Sequence, residues 1–332
     1  ATLSGGRRRS VFARRDRLRE TAVFGELTYD LRPKLTATLG GRLFATWVDF
    51  QADGFDLATT PIGEVRSRLR DSGFAPKLRL NYAFAPDMVL YAQVQDGYRA
   101  GGFNVPAGAD GVAGGPDIPA YRPDRLRSYE VGGEATLFDG ALTMRASVFQ
   151  ANWRDVQTDQ FRASGLPLTL NIGDGSNTGL EAEVLWTPDE HWRLRLNALI
   201  DHPELTRAKT DFPARVDIGL PGVARRSGAF DVAYRFNLMS RWRAEVSAQA
   251  SYVGPSFLTF DGGAASAMGN YAQGRISATL TGPPWEAQVY VANVTDERGD
   301  TFAYGNPFSR TRAMQATPLP PRTFGLVIRR SF

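Results

Sequence analysis

Cysteine is absent from the 332 residues, and histidine occurs only twice, as His191 and His202. Without thiols there is neither a disulfide framework nor a thiolate metal site. Two imidazoles leave almost no material for histidine-based catalysis or a histidine-rich metal cluster, so no catalytic residue, metal or cofactor is expected. Long apolar runs are missing as well. No stretch approaches the ~18–20 consecutive apolar residues of a spanning helix, which excludes helical membrane proteins but leaves alternating transmembrane strands open. The formal charge is a modest +4, and the arginines read as scattered rather than gathered in one patch, so nucleic acid is not an expected partner. Gly101-Gly102 and Gly114-Gly115 are followed by no Gly-Lys-Ser/Thr, so they read as flexible loop rather than phosphate cradle.

What the chain has in abundance is alternation. In the closing residues Phe324, Leu326, Ile328 and Phe332 fall on one face, with Arg330 between them, and Thr323, Gly325, Val327, Arg329 and Ser331 fall on the other. A period of two marks a strand with one apolar and one wet face. The same pattern predicts strands over 19–29, 34–48, 73–84, 88–99, 125–138, 141–154, 176–187, 191–201, 228–237, 241–253, 270–282, 285–294 and 321–332, about thirteen in all. It is cleanest at 241–253, where Trp242, Ala244, Val246, Ala248, Ala250 and Tyr252 alternate with Arg243, Glu245, Ser247, Gln249 and Ser251. The 34 glycines and 20 prolines supply the turns, and Asp139-Gly140 is a strong tight-hairpin signal.

Three features separate a membrane barrel from a soluble β-sandwich. Strands of about 10–14 residues exceed the ~5–6 of ordinary sheets and suit the ~9–11 of a tilted transmembrane strand. Connections alternate, short near 31, 86, 139, 189, 239 and 283 and long near 60, 110, 162, 213, 262 and 308, as periplasmic turns and external loops do. Tyr29, Phe84, Phe138, Trp186, Trp192, Phe236, Trp242 and Trp285 gather near the short turns, as an interfacial girdle would. The expected fold is therefore all-β, an antiparallel up-and-down transmembrane barrel. Glu181 and Glu183 read as lumen charges balanced by Arg193 and Arg195 on the neighbouring strand rather than as a catalytic pair.

Several segments, in order and spacing, resemble those of the TonB-dependent receptors. They are Phe24-Gly25-Glu26-Leu27-Thr28-Tyr29-Asp30 with Leu39-Gly40-Gly41-Arg42, Gly97-Tyr98-Arg99-Ala100-Gly101-Gly102-Phe103-Asn104, and Tyr121-Arg122-Pro123-Asp124 with Ser128-Tyr129-Glu130-Val131-Gly132. Further along come Trp153-Arg154-Asp155-Val156-Gln157, Asn171-Ile172-Gly173, Gly179-Leu180-Glu181, Asn293-Val294-Thr295-Asp296 and Pro321-Arg322-Thr323-Phe324-Gly325. The resemblance implies energised import of a scarce substrate, such as a ferric siderophore, cobalamin or an oligosaccharide, across the Gram-negative outer membrane. It implies a barrel of about 22 strands, of which about 13–14 are expected here, with residues 1–17 as a truncated loop or partial strand. The plug domain and the segment that TonB grips are expected to be missing, so TonB would act only through that N-terminal part.

The outer-membrane lipid and lipopolysaccharide are expected partners, and so is the barrel assembly machinery, through Phe324, Leu326, Ile328 and Phe332. A metal chelate or similar small ligand would meet Arg99, Phe103, Asn104, Tyr121, Trp153, Phe161 and Tyr304 at the external ends, where aromatics stack and arginine pairs with anions. Two other readings stay open: a passive porin formed by a shortened chain, and an outer-membrane enzyme working through His191 or His202.

Overall fold

The computed structural model describes residues 2–4, 7–56, 61–105, 120–161, 167–210, 219–257, 267–301 and 317–331. Its strands are β1 (Thr2–Ser4), β2 (Arg7–Arg32), β3 (Leu35–Asp56), β4 (Pro61–Ala85), β5 (Met88–Arg99), β6 (Gly102–Phe103), β7 (Ala120–Tyr121), β8 (Asp124–Leu137) and β9 (Leu142–Arg154). They continue as β10 (Gln157–Phe161), β11 (Pro167–Asn171), β12 (Gly173–Trp186), β13 (Trp192–Ala208), β14 (Arg226–Met239), β15 (Trp242–Phe257), β16 (Ala267–Gly282), β17 (Trp285–Ala292) and β18 (Thr323–Arg330). Fourteen of them form one sheet whose order follows the sequence, while β6–β7 and β10–β11 stand apart as small hairpins. Every pairing in the large sheet is antiparallel. The all-β, up-and-down expectation holds, and the thirteen predicted strands are β2–β5, β8, β9 and β12–β18.

Alternation decides the two faces. Val23, Leu27 and Phe324 are 73%, 71% and 74% exposed on the outward face, whereas Thr38 and Thr46 are only 8% and 2% exposed on the inward one. Registers keep the faces coherent across the sheet, as in Leu27↔Leu39↔Leu78 outward and Thr28↔Thr38↔Arg79 inward. Large apolar residues thus face out and hydrogen-bonding ones face in, the inverse of a soluble protein and the arrangement of a barrel wall in lipid.

Two expectations need correction. Residues 49–72 do not form a long polar loop, because β3 and β4 continue as a paired ladder up to Phe55↔Pro61. Beyond the belt both faces meet water, so the apolar alternation stops while backbone pairing carries on. β2 likewise begins at Arg7, far ahead of the predicted start near 19, and takes the arginine-rich opening into the sheet. The β4–β5 ladder ends at Lys77↔Gln95, so β2, β3 and β4 rise as a tall three-stranded wall beside a shorter rim. The second correction concerns charge. Glu183 stands opposite Asn197 on β13 and reaches Arg145 of β9 at 3.7 Å, while Arg193 lies near Asp231 and Glu245. The β12–β13 register sets Arg195 against Leu185, nearer the short turn than either glutamate.

The short turns fall where predicted. At one of them Asp189 Oδ1 accepts the backbone N–H of Trp192 (2.9 Å) and of His191 (2.8 Å), and these donors hold its carboxyl below the usual range. The Trp192 and Tyr234 rings pack together at 4.7 Å beside it. Tyr29, Phe84, Phe138, Trp186, Trp192 and Trp285 are exposed or nearly so around these turns, and Phe236 and Trp242 are half-buried there. Arg330, the intruder in the closing strand's apolar face, lies over the Trp285 ring at 5.4 Å. Phe324, Leu326 and Ile328 face outward on β18, and Phe332 lies outside the described residues.

On the inward face an aromatic ring lies flat across a glycine of the facing strand. A Cβ on Gly325 would sit 2.2 Å from Tyr290 Cζ, and the Arg275 guanidinium stacks on the same ring at 4.0 Å. Gly325→Leu therefore displaces both side chains, and its urea midpoint in detergent should fall by the equivalent of about 1–3 kcal/mol. Gly97→Ala, where nothing lies within 4 Å of the added carbon, should stay within about 0.5 kcal/mol. Equal effects from the two substitutions would refute the close-approach argument.

Candidate functional site

Buried apolar clusters lie at the long-loop end rather than along the lipid belt. Val48, Phe50, Ala52 and Phe103 form one, backed by Leu69. Val156, Ile172, Leu205 and Leu220 form the other, with Trp153, Leu170 and Ala208 against it. Each cluster seats one small hairpin on the wall. Phe103, at the end of β6, packs on Phe50 of the tall wall with ring centroids 5.4 Å apart, and Arg14 Nη2 donates to its carbonyl at 2.9 Å. Tyr121 of β7 stands opposite Gly102, and burial pushes its phenol up. The β10–β11 hairpin follows from Val156, whose N–H donates to the Gly173 carbonyl and whose own carbonyl accepts the Ile172 N–H. Gly173 has φ +146°, and a Cβ there would fall 1.7 Å from the Arg207 carbonyl oxygen, so only glycine fits this crossing.

Hydrogen bonds tie the hairpins together. Asn104 Nδ2 donates to the Thr169 carbonyl at 2.8 Å, and the Thr169 N–H donates back to Asn104 Oδ1 at 2.9 Å. Asn171 accepts the Arg122 N–H at 2.6 Å and donates to the carbonyls of Arg122 (2.9 Å) and Asp155 (2.7 Å). Gln157 Nε2 donates to the carbonyls of Ala100 (3.0 Å) and Arg122 (2.9 Å). At the centre is Asp124, only 1% exposed. It accepts from Arg99 Nε (2.9 Å to Oδ2) and Nη2, Trp153 Nε1 (2.9 Å) and the Gln157 N–H (3.2 Å). The Arg99 guanidinium also lies 4.9 Å over the Trp153 ring.

Five of the seven predicted ligand residues, Arg99, Phe103, Asn104, Tyr121 and Trp153, are thus drawn into one network under the external mouth. Much of their polar capacity is turned toward other parts of the chain, and Phe103 and Asn104 are buried. Phe161 ends β10 opposite Pro167, with its side chain outside the described residues, and Tyr304 lies wholly outside them. Sequence reasoning gave no role to Asp124, Gln157 or Asn171, though all three lie in or beside the segments that carry the family resemblance.

Around the network the cations lie outermost. The Arg99 side chain is 51% exposed over the buried Asp124 carboxylate, and Arg122 and Arg207 are similarly open above Asp155 and Asp174. Lys209 Nζ joins Asp155 at 2.9 Å. A second knot sits at the far end of the sheet. Asn293, 1% exposed, donates to the carbonyls of Glu297 and Pro320 and accepts the Glu297 N–H, while Asp296 accepts the Arg322 N–H at 3.0 Å. These bonds hold the start of β18 against the end of β17. No cluster of three metal-binding side chains occurs among the described residues.

A continuous antiparallel sheet with an apolar outward face, aromatics beside its short turns and polar inward rows defines the class of outer-membrane β-barrels. Within that class the particular family is also fixed. The family model described as TonB dependent receptor-like, beta-barrel matches residues 2–294, and the chain belongs to that family. Its place is the Gram-negative outer membrane, and the family comprises receptors and transporters rather than enzymes. The pesticin receptor of Yersinia enterocolitica is 24% identical over 298 residues, covering 86% of this chain and 40% of that protein. The crystal structure of the ferric yersiniabactin uptake receptor FyuA from Yersinia pestis is similar with a TM-score of 0.81 at 22% identity, over 98% of this chain and 47% of that one. The ferric-catecholate import receptor Fiu of E. coli K12, in its closed form, is similar with a TM-score of 0.68 at 14% identity, over 95% and 45%. The chain thus spans about 40% of the length of the curated relatives it matches.

Asp124→Ala leaves the Trp153 indole N–H and the Gln157 N–H without their acceptor, at about 1–3 kcal/mol for each buried unsatisfied group. The loss falls on the hairpins, not the belt. Limited proteolysis between 155 and 172 should accelerate at least tenfold while the heat-modifiable gel shift of the folded barrel is unchanged. Unaltered cleavage would mean that Asp124 does not hold the hairpins in place.

Proposed function

We propose that this chain forms much of the barrel wall of a receptor for TonB-energised uptake of a scarce anionic iron chelate, a ferric siderophore. The observation that carries the reading is the external ledge, where Arg99, Arg122 and Arg207 stand open to water above carboxylates set deeper than they are. Guanidinium groups held by one partner keep further N–H donors for a second, and charge-assisted bonds to carboxylate, catecholate or hydroxamate oxygens are among the stronger ones available. Structurally similar proteins that import ferric yersiniabactin and ferric catecholates support this choice of substrate class. Arg99 belongs to the ledge, Phe103, Asn104, Tyr121 and Trp153 position it, and Phe161 and Tyr304 are further ligand contacts in this reading.

The remaining assignments follow from the same reading. Tyr29, Phe84, Phe138, Trp186, Trp192, Phe236, Trp242 and Trp285 form the periplasmic-side girdle. Phe324, Leu326, Ile328 and Phe332 present the closing strand to the barrel assembly machinery. TonB engages a part of the receptor outside this stretch.

The test is uptake of radiolabelled ferric chelates by cells carrying the full gene product, with and without TonB. Saturable, TonB-dependent uptake is expected, and Arg122→Gln with Arg207→Gln should lower it at least tenfold at equal surface abundance. Non-saturable uptake that persists without TonB would favour a passive pore. Saturable uptake of cobalamin or an oligosaccharide, with none of any chelate, would refute the substrate class while leaving the receptor intact.

A further inference from the structure

The arginines that read as scattered in the sequence are gathered by strand register. On the outward face of the tall wall three successive rows run across β2, β3 and β4: Arg19–Trp47–Arg70, Arg17–Asp49–Arg68 and Arg15–Gln51–Arg66. The alternation fixes their side of the sheet, since Arg14, next to Arg15 in the chain, turns inward to Phe50 and the Phe103 carbonyl. Immediately below come Thr21–Ala45–Ser72 and then the apolar rows Val23–Leu43–Phe74, Gly25–Gly41–Pro76 and Leu27–Leu39–Leu78. From Leu35 at the short turn to Ala45 the wall spans about the 9–11 residues that a tilted strand needs to cross the hydrocarbon. Trp47, an interfacial residue by nature, marks the top of that belt, and the guanidinium rows begin level with it.

We infer that this patch is a binding site for the phosphate-bearing sugar headgroup of an outer-leaflet lipid, the chemistry that lipopolysaccharide presents. Six guanidinium groups meet few carboxylates there. Asp49 takes Arg68 at 3.0 Å and Glu64 takes Arg66, while among the described residues Arg15, Arg17, Arg19 and Arg70 have no carboxylate within ion-pairing distance. Outward residues along a strand lie about 7 Å apart and alternate strands about 10 Å apart, so the six heads crowd a small area and repel one another. An anion relieves that repulsion, and phosphate suits the planar, two-pronged guanidinium better than it suits lysine. All of these arginines but Arg70 rim a shallow cleft of about 670 Å³ with Asp49, Phe50, Gln51 and Ser67. The cleft is continuous with the lipid-facing belt and lies on the side of the wall opposite the lumen. An imported substrate has no route to it, whereas an outer-leaflet headgroup lies beside it at the same height. The inference rests on the orientation of the sheet in the membrane and not on what is imported.

The experiment uses the full gene product, extracted, stripped of lipid and titrated by native mass spectrometry. Phosphorylated lipopolysaccharide is one ligand, and the same lipid after chemical dephosphorylation is the other. Wild type should bind the phosphorylated form at least tenfold more tightly, with affinity falling as salt rises. Arg17→Gln, Arg19→Gln and Arg70→Gln together should abolish that preference while the folded-barrel gel shift is kept, and the three lysine replacements should restore part of it. Arg145→Gln, on the inward face, should change nothing. Equal binding of the two lipids, or undiminished preference in the triple glutamine variant, would overturn the assignment. Complete displacement of the lipid by millimolar inorganic phosphate would identify a site for the free ion instead.

Discussion

In hydrocarbon no water is available to a backbone N–H or carbonyl, so each must find its partner within the protein. That constraint explains why the sheet here is one uninterrupted antiparallel ladder across β2–β5, β8, β9 and β12–β18. It also explains why side chains are freed to do something unusual. Backbone pairing holds the wall together, so the outward face can be apolar for the lipid and the inward face polar for the lumen. Neither face has to supply a conventional core.

Close packing reappears only where the wall leaves the membrane. The two buried clusters, around Phe50 and Phe103 and around Ile172 and Leu205, are small cores built to seat hairpins on a wall rather than to stabilise the wall itself. Their polar counterpart is Asp124, whose buried carboxylate draws β5, β8, β9 and β10 to one point. Chemistry at the mouth is arranged in depth, with carboxylates and apolar groups below and guanidinium heads above. The outward arginine rows repeat the theme on the other side of the wall, with cations standing at the edge of an apolar surface.

The belt was legible in the sequence because lipid on one side and water on the other impose a period of two. β5, β8 and β9 begin and end within a residue or two of where alternation put them. Legibility failed where that asymmetry ends. Residues 49–72 are polar on both faces, so the continuing β3–β4 ladder left no periodic trace. The five-residue strands β10 and β11 are too short to show a period at all. Arg99 and Trp153 stand out in the sequence as candidate ligand contacts, whereas the turning of their N–H donors to Asp124 is set by register and fold. Register also turned Arg15, Arg17, Arg19, Arg66, Arg68 and Arg70 from a scatter into a patch, since residues some fifty positions apart in the chain share a row only once β2, β3 and β4 are paired.

Strand order in the large sheet equals sequence order, and this has a kinetic meaning. Each strand finds its partner among its neighbours in the order of the sheet, so pairing can start at each turn and zip outward, and the entropy of closing each loop stays small. Two of the wider gaps between paired strands, from Arg99 to Asp124 and from Arg154 to Gly173, are bridged by β6–β7 and β10–β11. Those hairpins shorten the effective span of the chain between partners. The same segments that shape the mouth thus ease the pairing of β5 with β8 and of β9 with β12 as the wall is laid down one hairpin at a time.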